Sequence, residues 1–89
     1  MDKELLESVK EKLLSIADLA YKGNTNDAIV MMGDTLQSIE TFAASMDEET
    51  REHMIETALA PMLSAMEDKD GTLLADIITY ELLELLNGM

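Results

Sequence analysis

The chain has 89 residues, 47% of them apolar and 28% charged, with no Cys and no Trp, which bounds it to one domain and leaves no room for separate cofactor and substrate domains. Without cysteine there are no disulfides, no thiolate nucleophile and no cysteine-held zinc or iron–sulfur site. Nineteen acidic residues against six basic ones give a net charge of −13, so the cationic contacts that nucleic acid and anionic lipid require are missing.

The amino terminus, Met1-Asp2-Lys3-Glu4, lacks the basic start and apolar run of a secretory signal, and no apolar run approaches the roughly 20 residues that cross a bilayer. A cytoplasmic setting is the default expectation. Four basic residues, Lys3, Lys10, Lys12 and Lys22, fall in the first quarter; from Gly23 onward Arg51 and Lys69 stand against 14 acids. That surface is either a solvating face or a face for a basic partner.

The first predicted helix runs from about Lys3 to Tyr21, with Leu6, Val9, Leu13, Ile16, Ala17 and Ala20 at three- and four-residue intervals. Lys22-Gly23-Asn24-Thr25-Asn26 breaks it with a glycine suited to positive φ and with candidate caps. A second helix is expected from about Asp27 to Ser45. Its stripe is Ala28, Ile29, Met32, Leu36, Ile39, Phe42, Ala43 and Met46, and Gly33 at the margin would permit close helix approach. Ala20-Tyr21-Lys22-Gly23 with Ala28-Ile29 resembles the turn of a tetratricopeptide repeat. No second copy follows at the 34-residue period a stacked array would need, so the pattern reads as an ordinary antiparallel helix pair.

Ser45-Met46-Asp47-Glu48 has the spacing of a capping box and opens a third helix. Met54, Ile55, Ala58, Leu59, Met62, Leu63 and Met66 form its expected inner stripe, running across Pro61. Proline removes a backbone donor and clashes with the preceding turn, so this helix should kink near Thr57–Pro61 or stop and restart there. Glu67-Asp68-Lys69-Asp70-Gly71 is the next turn. The last helix follows, capped by Asp70 or Thr72 and stopped by a left-handed Asn87-Gly88. Leu74, Ile78, Leu82 and Leu85 make its stripe at 100° per residue, with Ile77 and Leu86 on the shoulders and Leu73, Tyr80 and Leu83 outside. A helix apolar most of the way round is central or lies at an interface. No run alternates β-branched with polar residues, so the expected fold is all-α: residues 1–89 as one small bundle of two helical hairpins, four helices in all.

Asp68-Lys69-Asp70-Gly71-Thr72-Leu73-Leu74-Ala75-Asp76 resembles the nucleophile loop of haloacid-dehalogenase-like phosphatases, which would make the first aspartate the phosphorylated one and the second the acid/base. That family's loop follows a buried strand, whereas residues 60–66 here read as helix, so the run is expected to be a helix cap. A calcium loop centred on Gly71 fails at its first and twelfth positions, Met66 and Ile77. The segment Glu67-Asp68-Lys69-Asp70, Leu73-Leu74-Ala75-Asp76 and Tyr80-Glu81-Leu82 is similar to one in small, functionally unassigned, all-helical bacterial proteins. That resemblance implies a bacterial source and recurring polar positions at Asp76, Tyr80 and Glu81.

His53, with Glu49 and Glu56 on the same helical face, could hold a metal, but all three project away from the Met/Leu stripe, and Thr50 stands where an inward Glu-x-x-His pair would need its glutamate. No metal and no cofactor are expected. Glu81 falls inside the apolar stripe, a candidate buried carboxylate that must be paired, hydrogen-bonded, protonated or at the wet rim of an interface. The internal methionines, Met31, Met32, Met46, Met54, Met62 and Met66, are either core filler or the lining of an adaptable groove. The expectation is a non-catalytic acidic interaction module that self-associates as a homodimer through Leu73, Tyr80, Leu83 and Leu86. The alternatives are an adaptor or inhibitor presenting its acidic face to a basic protein, and a small metal-dependent or acid/base enzyme using Glu81 and Asp76.

Overall fold

The computed structural model describes residues 3–88. Helix α1 is Lys3–Tyr21 and α2 is Thr25–Ala43; α3 spans residues 48–67 and α4 residues 71–87. Among the described residues there is no strand. Glu48–Met54 and Ala60–Glu67 are the α-helical parts of α3, joined by a π turn at Ile55–Leu59; Gly71–Ile77 and Leu83–Asn87 play the same part in α4, joined by a π turn at Ile78–Leu82. The radius of gyration is 12.0 Å, matching the roughly 12 Å of a compact domain this long.

Both hairpin turns close in one way. After α1, Gly23 N–H donates to the Ala20 carbonyl at 3.1 Å and Asn24 N–H to Leu19 at 2.9 Å; after α3, Lys69 N–H donates to Met66 at 3.2 Å and Asp70 N–H to Ala65 at 2.9 Å. These paired bonds satisfy the last carbonyls of each helix and need a left-handed residue at the corner. Gly23 supplies it with φ 87°, but in the second turn Lys69 does, with φ 54°, and not Gly71. Asp70 then caps α4, its carboxylate accepting from Leu73 N–H at 3.0 Å.

Gly71 serves a different need. A Cβ there would collide with Thr25 Oγ1 and stand 3.3 Å from Thr25 Cβ and 3.4 Å from the Ala20 carbonyl oxygen. The start of α4 is therefore pressed against the corner between α1 and α2. Both turns lie at one end of the molecule, and the helices run up, down, up, down. Close approach is a property of Gly71 and not of Gly33, which is exposed with nothing within 4 Å of where its Cβ would be.

Helix α1 packs between α2 and α4, α3 packs along α4, and the two π turns face each other. The core contains Val9, Leu13 and Ile16 of α1, Met32, Ile39 and Phe42 of α2, Met54 and Met62 of α3, and Leu74, Ile78, Leu82 and Leu86 of α4. Each such side chain contributes about 1.5–3 kcal/mol by leaving water. Thr35 is the one buried polar residue among those described, and its hydroxyl donates to the Met31 carbonyl four residues back at 2.8 Å.

The π turns explain where the wheel projection fails. Ala60 N–H donates to the Ile55 carbonyl and Leu83 N–H to that of Ile78, five residues apart in each case. Such a turn accommodates about one extra residue, so everything beyond it is set back by about 100°. In α4 this swings Leu83 and Leu86 inward, where they are 7% and 1% exposed, and swings Glu81 out to solvent. Glu81 is thus not a buried carboxylate, and Leu83 and Leu86 are core residues of a single chain instead of an interface. In α3 the same shift brings Met62 back into line with Met54, so the core face excludes Ile55 and Leu63.

Pro61 stands in the first turn of the second α-helical part of α3, Ala60–Glu67, as the restart expected there requires. The chain stays helical through residues 48–67, and the π turn immediately before Pro61 is where the ladder changes register. Two further expectations change. Ser45 does not cap α3; its hydroxyl donates to the Phe42 carbonyl at 2.7 Å and Asp47 occupies the N-cap position. Gly88 ends α4 in a right-handed conformation, φ −76°, so the stop is not left-handed.

Candidate functional site

Helix α2 makes its close packing with α1, and its seam with α3 stays open. The opening is a groove of about 420 Å³ lined by Glu40, Ala43 and Ala44 from the end of α2 and by Arg51, Ile55, Leu59, Ala60 and Leu63 from α3. Its walls differ in kind. The α2 side presents small side chains, which give the groove depth, while the α3 side presents large aliphatic ones.

The α3 wall depends on the π turn. Residues four apart on a regular α-helix drift by about 40° per step, so a row of four would wander about 120° round the helix. The one-residue setback at Ile55–Leu59 cancels most of that drift. Two straight rows result. Met54, Ala58 and Met62 point into the core at 0% exposure; Arg51, Ile55, Leu59 and Leu63 line the groove, with Ile55 at 44% and Leu63 at 49% exposure.

Charge surrounds the row unevenly. Arg51 is the only Lys or Arg on α2 or α3, and it makes no ion pair among the described residues. Against it stand Glu40 in the groove and the exposed Glu48, Glu52 and Glu56 one position further round α3.

The expected interface residues divide. Leu73 and Tyr80 are exposed, at 44% and 67%, with Leu14 at 59% and Tyr21 at 50% exposed on α1. Tyr21 Oη donates to Asp76 Oδ1 at 2.7 Å, which raises the Tyr21 pKa above its ordinary value because the neighbouring carboxylate disfavours the phenolate. Asp76 is thereby committed to a structural partner. His53, Glu49 and Glu56 are exposed, and no three His, Cys, Asp or Glu side chains among the described residues come together as a metal site. Of the methionines, Met32, Met46, Met54 and Met62 are buried, and none lines the groove. The groove itself escaped the periodicity because it belongs to two helices at once. Its one sequence trace is apolar spacing in strict fours, Met54-Ala58-Met62 beside Ile55-Leu59-Leu63, each of which would drift by about 80° round a plain α-helix.

No described helix is long and apolar enough to cross a membrane. Comparison with curated proteins and with solved structures finds no match. The pattern of one family, described as a domain of unknown function, DUF8042, matches residues 3–89. The all-helical bundle with its open seam therefore belongs to the DUF8042 family.

Proposed function

We propose that the protein is a non-catalytic interaction module that receives a helix of a protein partner in the groove between α2 and α3. The observation that carries this reading is the straight row Ile55, Leu59 and Leu63 along an open cleft, with Ile55 and Leu63 exposed and Leu59 resting partly on the core. Aliphatic side chains aligned along a shallow channel favour an amphipathic helix, whose i, i+3, i+4 and i+7 anchors lie in one line. The resemblance of residues 67–86 to small helical bacterial proteins, together with the acidic surface, supports a bacterial source and a cytoplasmic setting.

A neutral probe tests the site: a helical peptide with a leucine stripe and a glutamine outer face, titrated into labelled protein and followed by amide NMR. The expected shifts centre on residues 40–44 and 51–63. Shifts that are absent, or that centre on Leu73 and Tyr80, would overturn the assignment.

A second reading, self-association, is favoured by the exposed Leu14, Tyr21, Leu73 and Tyr80 on the face formed by α1 and α4. Light scattering behind size exclusion at low and high salt tests it. A dimer that tightens with salt, as a pair of −13 chains must, is the expected result under this reading, and a monomer at every salt concentration would exclude it.

A further inference from the structure

We infer that the occupant of the groove is a basic amphipathic helix of another protein, with lysine or arginine on its flanks and an aliphatic stripe of about three turns. This rests on the reading of the groove as a helix-docking site and adds the chemistry of the partner. From Arg51 to Leu63 the row spans twelve residues, about 18 Å of helix, which three turns of a partner match. The stripe has a place to go, because Ala43 and Ala44 leave the α2 wall low enough to admit leucine-sized side chains opposite Ile55, Leu59 and Leu63.

Charge then selects among helices. Glu40 stands in the groove, and Glu48, Glu52 and Glu56 follow the outer side of the row, so a docked helix would lie between carboxylates. A second copy of this chain fits this setting poorly. It would bring another net charge of −13 against the same acidic walls, a like-charge approach that disfavours wrong partners. A basic helix meets attraction along both flanks, except at the Arg51 end. There the single cation of the two walls opposes it.

That exception makes the proposal testable in sign. Three labelled peptides of about 18 residues carry one leucine stripe and an outer face of lysine, glutamine or glutamate; a fourth carries the lysine face with its leucines replaced by serine. Fluorescence anisotropy with the intact protein should rank lysine above glutamine above glutamate. The lysine helix should lose at least about tenfold in affinity between about 50 and 300 mM salt. Arg51→Glu should tighten the lysine helix several-fold, and the double variant Ile55→Ser/Leu63→Ser should weaken it at least tenfold, roughly the loss of two aliphatic anchors.

If the glutamine and glutamate helices bind as well as the lysine helix, the basic partner is wrong while the docking site survives. If no leucine-striped helix binds, both fall. Equal binding of the serine-substituted lysine peptide would reduce the effect to diffuse attraction by a polyanion and overturn the proposal. So would a homodimer that Ile55→Ser/Leu63→Ser dissolves, because the groove would then belong to a second copy.

Discussion

Tyr21, in the last turn of α1, donates its hydroxyl to the Asp76 carboxylate at 2.7 Å across the packed pair α1 and α4. The bond exists only while the phenol keeps its proton, and the raised Tyr21 pKa expresses that preference. A group whose pKa is raised on folding stabilises the fold fully below its unfolded value, near 10.0 for tyrosine, and that stabilisation is lost as pH climbs through the folded value. The melting temperature of the wild type should therefore exceed that of Tyr21→Phe at neutral pH, and the difference should vanish in strong alkali. Asp76→Asn should bring the Tyr21 titration, followed by ultraviolet absorbance, back down. A difference between wild type and Tyr21→Phe that is the same at pH 7 and pH 11 would contradict this.

Gly71→Ala should destabilise the bundle by about 1–3 kcal/mol, the usual cost of forcing a methyl into a filled site. The obstacle is Thr25, with the Ala20 carbonyl behind it. Adding Thr25→Ala to Gly71→Ala should recover part of the loss, a non-additivity expected of touching residues. Gly33→Ala, in open space on an exposed helix surface, should instead stabilise by about 0.5–1 kcal/mol. Urea titrations of these three variants and of Thr25→Ala alone check the set, and equal effects at Gly33 and Gly71 would refute the packing assigned to the α1–α2 corner.

Leu86 is 1% exposed within one chain. Leu86→Ala should cost about 2–5 kcal/mol as any core leucine does, with an unfolding midpoint independent of protein concentration. Were Leu86 an interface residue, the loss would appear as a concentration-dependent midpoint.

The sequence was most informative where helices are plain. The span of α1, its inner face from Leu6 to Ala20 and the Gly23 corner follow from periodicity and turn chemistry alone, which also narrow the cap of α4 to Asp70 or Thr72. It misled in α3 and α4, because a constant 100° per residue cannot represent a turn with one residue more. Glu81 was drawn inward, and Leu83 outward, by that single assumption. Gly33 and Gly71 show a second limit: which glycine needs its missing side chain depends on what another helix brings to it. The groove is a third case, since its α2 wall of Ala43 and Ala44 carries no local signal until α3 stands opposite.

If the π turn in α3 does no more than absorb one extra residue, deleting Thr57 together with Pro61→Ala should leave a folded bundle and keep both rows, because Arg51, Ile55, Leu59 and Leu63 would then be spaced four, three and four on a plain α-helix. The buried positions Met54, Ala58, Met62 and Ala65 would then be spaced three, four and three, a regular α-helical pattern. Replacing the proline avoids its cost of about 3 kcal/mol inside a helix. Circular dichroism should show unchanged helicity and cooperative melting, and affinity for the lysine-faced helix should stay close to that of the wild type. A lost fold, or an affinity as low as that of the groove double variant, would contradict the one-residue setback assigned to the π turn.

The most direct measurement compares two leucines of similar exposure on opposite sides of the bundle, Leu63 in the groove and Leu14 on α1. Calorimetric titration of the lysine-faced helix into Leu63→Ser and Leu14→Ser holds net charge constant and varies only the place of the lost side chain. We expect Leu63→Ser to weaken binding about tenfold and Leu14→Ser to leave it unchanged. Equal losses, or a loss confined to Leu14→Ser, would contradict the claim that the protein meets its partner between α2 and α3.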